Sequence, residues 1–124
     1  MIQYNGSEVM KVDESLIQSL NSELKRGTQI LAVLSQMNEM KYGYSLLQDL
    51  EAKHVEIEAG TLYPLLRRLE SQGILKSEWD TTESRPRKYY LLNEEGKEVF
   101  DLMKKEWNRI VNEMNLLLEG EPTK

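Results

Sequence analysis

The most constraining pattern in this chain lies near its C-terminal end. Val99, Met103, Trp107, Ile110, Met114 and Leu117 step by four, four, three, four and three residues, a heptad-like seam that returns apolar side chains to one face of a helix. Phe100, Val111 and Leu118 form a second row beside it. Asn93 is a ready N-cap, so a helix is expected from Glu94 to about Glu119, roughly 39 Å long. Such a rod overhangs the core that so short a chain can build. Its stripe must be covered by the chain's own first helix or by a second copy of the chain, and the overhang favours the copy. Val99, Phe100, Met103, Trp107, Ile110, Met114, Leu117 and Leu118 are the expected dimer contacts.

The 124 residues suit one domain. Residues 1–12 show no sustained period and are expected to form a flexible arm, with a disordered tail at 120–124. From Asp13, a plausible N-cap, Leu16, Ile17, Leu20, Leu24, Ile30, Leu31, Leu34 and Met37 predict helix over 14–37, with a break or bend at Gly27-Thr28. The first part of it, 13–21, is an added N-terminal helix. Tyr42-Gly43 punctuates the chain before a second helix, marked by Leu46, Leu47 and Leu50 and ending near His54; a short extended piece, Val55 to Ile57, follows. The third helix runs from Ala59 to Gln72, with Gly73 as its left-handed stop. Pro64 lies near enough to its first turn to be tolerated. The periodicity then changes to two β-rich stretches, Ile74 to Trp79 and Lys88 to Leu92, joined by a polar loop containing Pro86. The expected fold is mainly α with a small β-hairpin: a winged helix-turn-helix domain at 13–93 and a C-terminal dimerisation helix at 94–119.

Composition narrows the chemistry. Without cysteine, disulfides, thiolate catalysis and cysteine-ligated metal sites are excluded, and a single histidine argues against histidine-clustered metals. The longest aliphatic run, Ile30 to Leu34, is too short to span a bilayer. A cytoplasmic, nucleoid-associated protein is expected, with no membrane partner. No nucleophile with a recognisable base, phosphate loop or metal spacing is present. Glu94, Glu95 and Glu98 favour a helix dipole, and His54 sits where a helix ends, so no catalytic, metal or cofactor site is expected.

The net charge of −5 argues against a polyanion partner until its distribution is considered. Residues 60–93 carry six Lys/Arg against four Asp/Glu, whereas both flanks are acidic. The basic island coincides with the third helix and the hairpin. In a winged helix these enter the major groove and follow the backbone or minor groove, respectively. If Leu62, Leu65, Leu66 and Leu69 face the core, Gly60, Tyr63, Pro64 and Arg67 share the opposite face. Gly60 allows close approach, Thr61 can bond a phosphate or base edge, Tyr63 offers a ring and a hydroxyl, and Arg67 can grip a guanine or a phosphate. Structural alternatives are a Tyr63 ring half-buried under the wing and an Arg67–Glu70 ion pair. Arg68 is equally suited to pair with Glu70, Asp49 or Glu51. In the wing, Ser84, Arg85, Arg87 and Lys88 are the candidate DNA contacts, Arg85 being suited to a narrow minor groove. Alternation sends Arg87 and Lys88 to opposite faces, so one of the two is free to be structural.

The strings YGYSLLQDLE (Tyr42 to Glu51), GTLYPLLRRLESQGIL (Gly60 to Leu75) and SRPRKYYLLNEEGKEVF (Ser84 to Phe100) resemble the PadR family of bacterial transcriptional regulators, over roughly residues 22–118. The resemblance implies a homodimeric repressor that binds near-palindromic double-stranded DNA and is released by a small molecule. It adds Tyr44 and Ser45, near a phosphate, to the DNA contacts. The short C-terminal section is similar to the smaller subfamily. In its multidrug-responsive members a tryptophan of the last helix stacks on flat aromatic drugs at the dimer interface, and Trp107 stands at the matching position. Two indoles across a two-fold axis can stack together or admit a planar guest between walls of Met103, Ile110, Val111 and Met114; a filled seam without a cavity is the alternative. Glu106 or Asp101 would favour cationic guests. A winged-helix module that binds protein instead of DNA is the rival function.

Overall fold

A computed structural model describes residues 12–120. Most of the expected N-terminal arm and of the C-terminal tail lies outside the described residues. Asp13 opens α1 (Glu14–Arg26), its carboxylate accepting the Ser15 N–H at 2.8 Å. The helical path breaks at Gly27, as the sequence predicts, but gently. Gly27 stays right-handed (φ −67°, ψ −26°), and the Thr28 hydroxyl donates to the Lys25 carbonyl, so α2 (Thr28–Ser35) leaves α1 at a bend. It stops two residues before the expected Met37, although Met37 itself is buried.

A strand that the sequence does not announce follows. β1 (Lys41–Tyr42) pairs antiparallel with β3 (Arg87–Leu92), which pairs on its other edge with β2 (Leu75–Asp80), giving the order β1-β3-β2. Between them lie α3 (Gly43–Ala52) and α4 (Ala59–Ser71). Helix α3 ends two residues before His54, which takes the left-handed conformation (φ 65°) while its N–H bonds the Glu51 carbonyl. His54 is thus a helix stop. The expected extended piece at Val55 to Ile57 joins no ladder; it is irregular chain anchored by buried Ile57. Gly73 ends α4 with φ 85°.

The core closes around Leu34, Met37, Leu46, Leu62, Leu66 and Leu92, all essentially without exposure. Leu62, Leu65, Leu66 and Leu69 all point into it, which fixes the outward face of α4. The last helix, α5 (Glu94–Glu119), is stapled at its start. Asn93 accepts the Gly96 N–H and donates to the Gly73 carbonyl, both at 2.7 Å. Gly96 is buried so tightly that a Cβ there would fall 2.0 Å from the Ile74 carbonyl oxygen.

Beyond this anchor α5 leaves the domain. Val99, Phe100 and Met103, expected at a dimer contact, pack partly against the protomer's own core. From Trp107 onward the stripe is open: Ile110 and Met114 are about 40 % exposed, Leu117 and Leu118 75 %. Helix α1 does not cover it. It packs on α2, buries none of its own residues, and leaves Leu16, Ile17, Leu20 and Leu24 exposed.

Candidate nucleic-acid interface

Helix α4 presents Gly60, Thr61, Tyr63, Pro64, Arg67 and Arg68 to solvent. Pro64 has no N–H, so the Gly60 carbonyl loses its helical partner and stays available on this face. Tyr63 reaches toward α3. Its ring, 37 % exposed, crosses the start of α3, where a Cβ on Gly43 would collide with it at 1.9 Å. Tyr44 projects from the same end of α3, 56 % exposed. Ser45 is engaged locally, its hydroxyl donating to the Tyr42 carbonyl at 2.8 Å.

The tip of the wing spans 81–86. Asp80 organises it as an Asx-turn, accepting from the Thr82 N–H and hydroxyl. Those bonds, the backbone one first, hold the Asp80 carboxyl below its ordinary pKa. Ser84 and Arg85 are exposed at the tip.

The two adjacent basic residues of β3 divide as alternation requires. Lys88 reaches inward to Glu70 of α4 at 2.8 Å, and Glu70 also accepts from the Ser77 hydroxyl of β2. Lys88 first, then Ser77, holds the Glu70 carboxyl below its ordinary range, and Glu70 in turn raises the Lys88 ammonium. The clamp ties α4 to both wing strands. Arg87 points the other way, its guanidinium 4.7 Å from the centre of the Tyr42 ring. Tyr89, then Tyr42, raises its pKa further.

Glu70 is therefore not the partner of Arg67 or Arg68, and Asp49 is taken by Lys41. Among the described residues Arg67, Arg68 and Arg85 enter no salt bridge, so three guanidinium groups stand free on or beside this face. An open trough of mixed charge borders it, lined by Arg26, Tyr44, Thr61, Pro64 and Arg68 and also by Glu51, Glu56 and Glu58. Sequence reasoning missed Ser77 altogether, read Tyr42-Gly43 only as punctuation, and offered Glu70 as a partner for Arg67 or Arg68 but not for Lys88. A two-residue strand has no periodicity to detect, and the glutamate carries no signal until α4 and the wing are in contact.

On α5, Trp107 and Ile110 are exposed, and Val111 and Met103 are half-buried. The acids considered as cation-attracting already have partners within the helix. Glu106 and Glu113 pair with Arg109, and Asp101 with Lys104. Among the described residues no cluster of three or more His, Asp or Glu side chains is arranged to hold a metal, and no helix is long and apolar enough to cross a membrane.

The pattern of the transcriptional regulator PadR-like family matches residues 30–102, from α2 to the first third of α5. The chain belongs to the PadR family. A PadR-family transcriptional regulator from Eggerthella lenta is 45 % identical, superposes with a TM-score of 0.82, and is matched over 87 % of this chain and 96 % of its own. One from Clostridium difficile is 31 % identical with a TM-score of 0.64, over 71 % and 95 % of the two chains. A transcriptional regulator of Mycobacterium tuberculosis shares 38 % identity over 56 residues, 45 % of this chain and 52 % of that protein. This PadR protein is thus a transcriptional regulator with a winged-helix fold. The matched family segment holds α4 and the wing, while α1 and the distal part of α5 lie outside it.

Proposed function

We propose that this PadR protein is a homodimeric, sequence-specific DNA-binding repressor that acts on near-palindromic operators in the cytoplasm, at the nucleoid. The observation that carries the reading is the outward face of α4 and the wing. There Arg67, Arg68 and Arg85 have no carboxylate partner among the described residues, and Glu70 and Asp49, the acids considered as partners on this side of the domain, bind Lys88 and Lys41 instead. Gly60, Thr61, Tyr63, Pro64 and Arg67 would meet base edges and phosphates in the major groove. Tyr44 and Ser45 would flank a phosphate, and Ser84, Arg85 and Arg87 would follow the backbone and minor groove. Lys88 acts chiefly through Glu70, as a strut.

The open stripe of α5 from Trp107 to Leu118 supports pairing with a second copy, because an exposed apolar face of this extent is otherwise an aggregation hazard. Pairing along α5 sets two recognition helices at a fixed separation, which operators match with half-sites about one DNA turn apart. A planar aromatic guest between the Trp107 rings, walled by Met103, Ile110, Val111 and Met114, would release DNA by favouring a different separation. Equal affinity for both arrangements would shift nothing.

Selection of duplexes from a random-sequence pool by the full-length protein tests this reading. Enriched sequences should contain inverted half-sites about one turn apart, bound by two copies of the chain. Failure to enrich any duplex would leave the winged helix as a protein-binding module.

A further inference from the structure

Tyr42-Gly43, where β1 passes into α3, touches both DNA-facing elements at once. On the wing side, the Arg87 guanidinium carbon stands over the Tyr42 ring, 4.7 Å from its centre, and Tyr89 meets the same ring edge-on at 5.3 Å and 68°. Tyr42 and Tyr89 are directly opposed in the β1–β3 ladder, so backbone pairing sets this stack. On the helix side, the Tyr63 ring fills the space a side chain at residue 43 would need: Cε1 and Cδ1 lie 1.9 and 2.7 Å from where a Cβ would stand. Gly43 does not have a positive φ, so what it supplies is room. The junction is itself held. The Ser45 hydroxyl caps the Tyr42 carbonyl, and Lys41 pairs with Asp49 of α3.

An arginine that must be ordered as it meets a phosphate loses about two- to tenfold in affinity against one ordered beforehand. We propose that Tyr42-Gly43 is a positioning element for DNA recognition: Tyr42 holds Arg87 ready for a backbone phosphate, and Gly43 provides the slot that aims Tyr63 from the recognition helix. One dipeptide thereby fixes a wing contact and a groove contact relative to each other. The inference rests on the DNA-binding reading above.

Double-mutant cycles on the full-length protein test it, with a duplex enriched by the parent as the probe and thermal melting to follow the fold of each variant. Tyr42→Leu should weaken binding by about two- to tenfold per protomer. Tyr42→Phe, which keeps the ring, should bind like the parent, and Tyr42→Leu should add almost nothing once Arg87→Ala is present. Arg87→Ala should reduce the salt slope by about 0.9 for each phosphate left without its arginine. Gly43→Ala should weaken binding to the enriched duplex without changing that slope, and should be silent in a Tyr63→Ala background.

Equal losses in both backgrounds would overturn the proposal, because the junction would then support the fold alone. If Tyr42→Leu does not fold, Arg87→Lys decides. It keeps the charge but not the planar stack, and binding as tight as the parent's would refute the role of Tyr42. A parent that enriches no duplex removes the DNA-binding reading together with this one. A parent that binds tightly, with purely additive losses, removes this one alone.

Discussion

Replacing Glu70 with glutamine would separate what the wing clamp does for stability from what it does for DNA binding. In the parent, the Glu70 carboxylate bridges Lys88 of β3 and Ser77 of β2, and the paired side chains of Glu70 and Lys88 are 31 % and 27 % exposed. Glutamine keeps the length and an acceptor oxygen but loses the charge. That partial exposure puts the pair between a surface ion pair and a buried one, so the loss should be about 1 kcal/mol. At equal protein concentration this corresponds to a melting temperature lower by about 4 °C. The sign of the pH dependence follows from the two shifts. Glu70 is depressed, so its contribution is present above the unfolded carboxyl pKa, near 4.3, and disappears as pH falls through the folded value. Lys88 is raised, so its contribution is present below the unfolded value, near 10.4, and disappears as pH rises through the folded one. The parent should therefore exceed Glu70→Gln most between those limits, and the two melting curves should converge in acid. The variant also frees Lys88 and removes a negative charge beside the groove. Its binding to mixed-sequence DNA should become tighter and more salt-dependent, while its preference for a selected duplex falls. Melting across pH and fluorescence anisotropy across salt measure both effects. A stability gap that persists unchanged in acid would refute the ion pair as its source, and undiminished sequence preference would refute the strut.

Other perturbations reach the rest of the fold. Gly96→Ala gains roughly 1 kcal/mol of helix propensity but drives a methyl group into the Ile74 carbonyl and Leu92. A net loss of about 2 kcal/mol is expected from chemical denaturation, and a stability equal to or above the parent's would contradict the tight seating of α5. Ile110→Asp combined with Leu117→Asp should raise the dimer dissociation constant by more than about a hundredfold, since each places a carboxylate in an apolar contact; an unchanged mass in sedimentation would rule out pairing along this stripe. A planar aromatic cation should quench tryptophan fluorescence in the parent and not in Trp107→Ala. Quenching that survives the substitution would point to Trp79, which is 64 % exposed on the wing.

Long-period patterns are legible in the sequence. The inward leucines of α4, the Gly73 stop, the hairpin and the Asn93 cap all rest on local rules of spacing or backbone conformation, and the structure follows them. The family strings between Tyr42 and Phe100 carry the functional class. What escapes depends on packing between residues distant in the chain. Two residues at β1 have no period of their own and exist as a strand because β3 offers an edge. The division between Arg87 and Lys88 is foreseeable from alternation, but which of them faces Glu70 depends on the placement of α4. The seam of α5 reads as one continuous stripe, whereas in the protomer Val99, Phe100 and Met103 are partly packed against its own core and only from Trp107 does the stripe lie open. The pairing of charges depends on packing in the same way. Asp49 and Glu70 are engaged by Lys41 and Lys88, and Arg67, Arg68 and Arg85 enter no salt bridge among the described residues.

The most direct test of DNA recognition by α4 and the wing is the affinity of the parent and of an Arg67→Ala, Arg85→Ala double variant for a selected duplex over a range of salt concentrations. The parent should bind with an affinity that falls steeply as salt rises, and the variant should bind more weakly with a slope shallower by about 0.9 for each phosphate it no longer neutralises. Salt-independent binding by the parent, or a variant whose affinity and slope match the parent's, would contradict it.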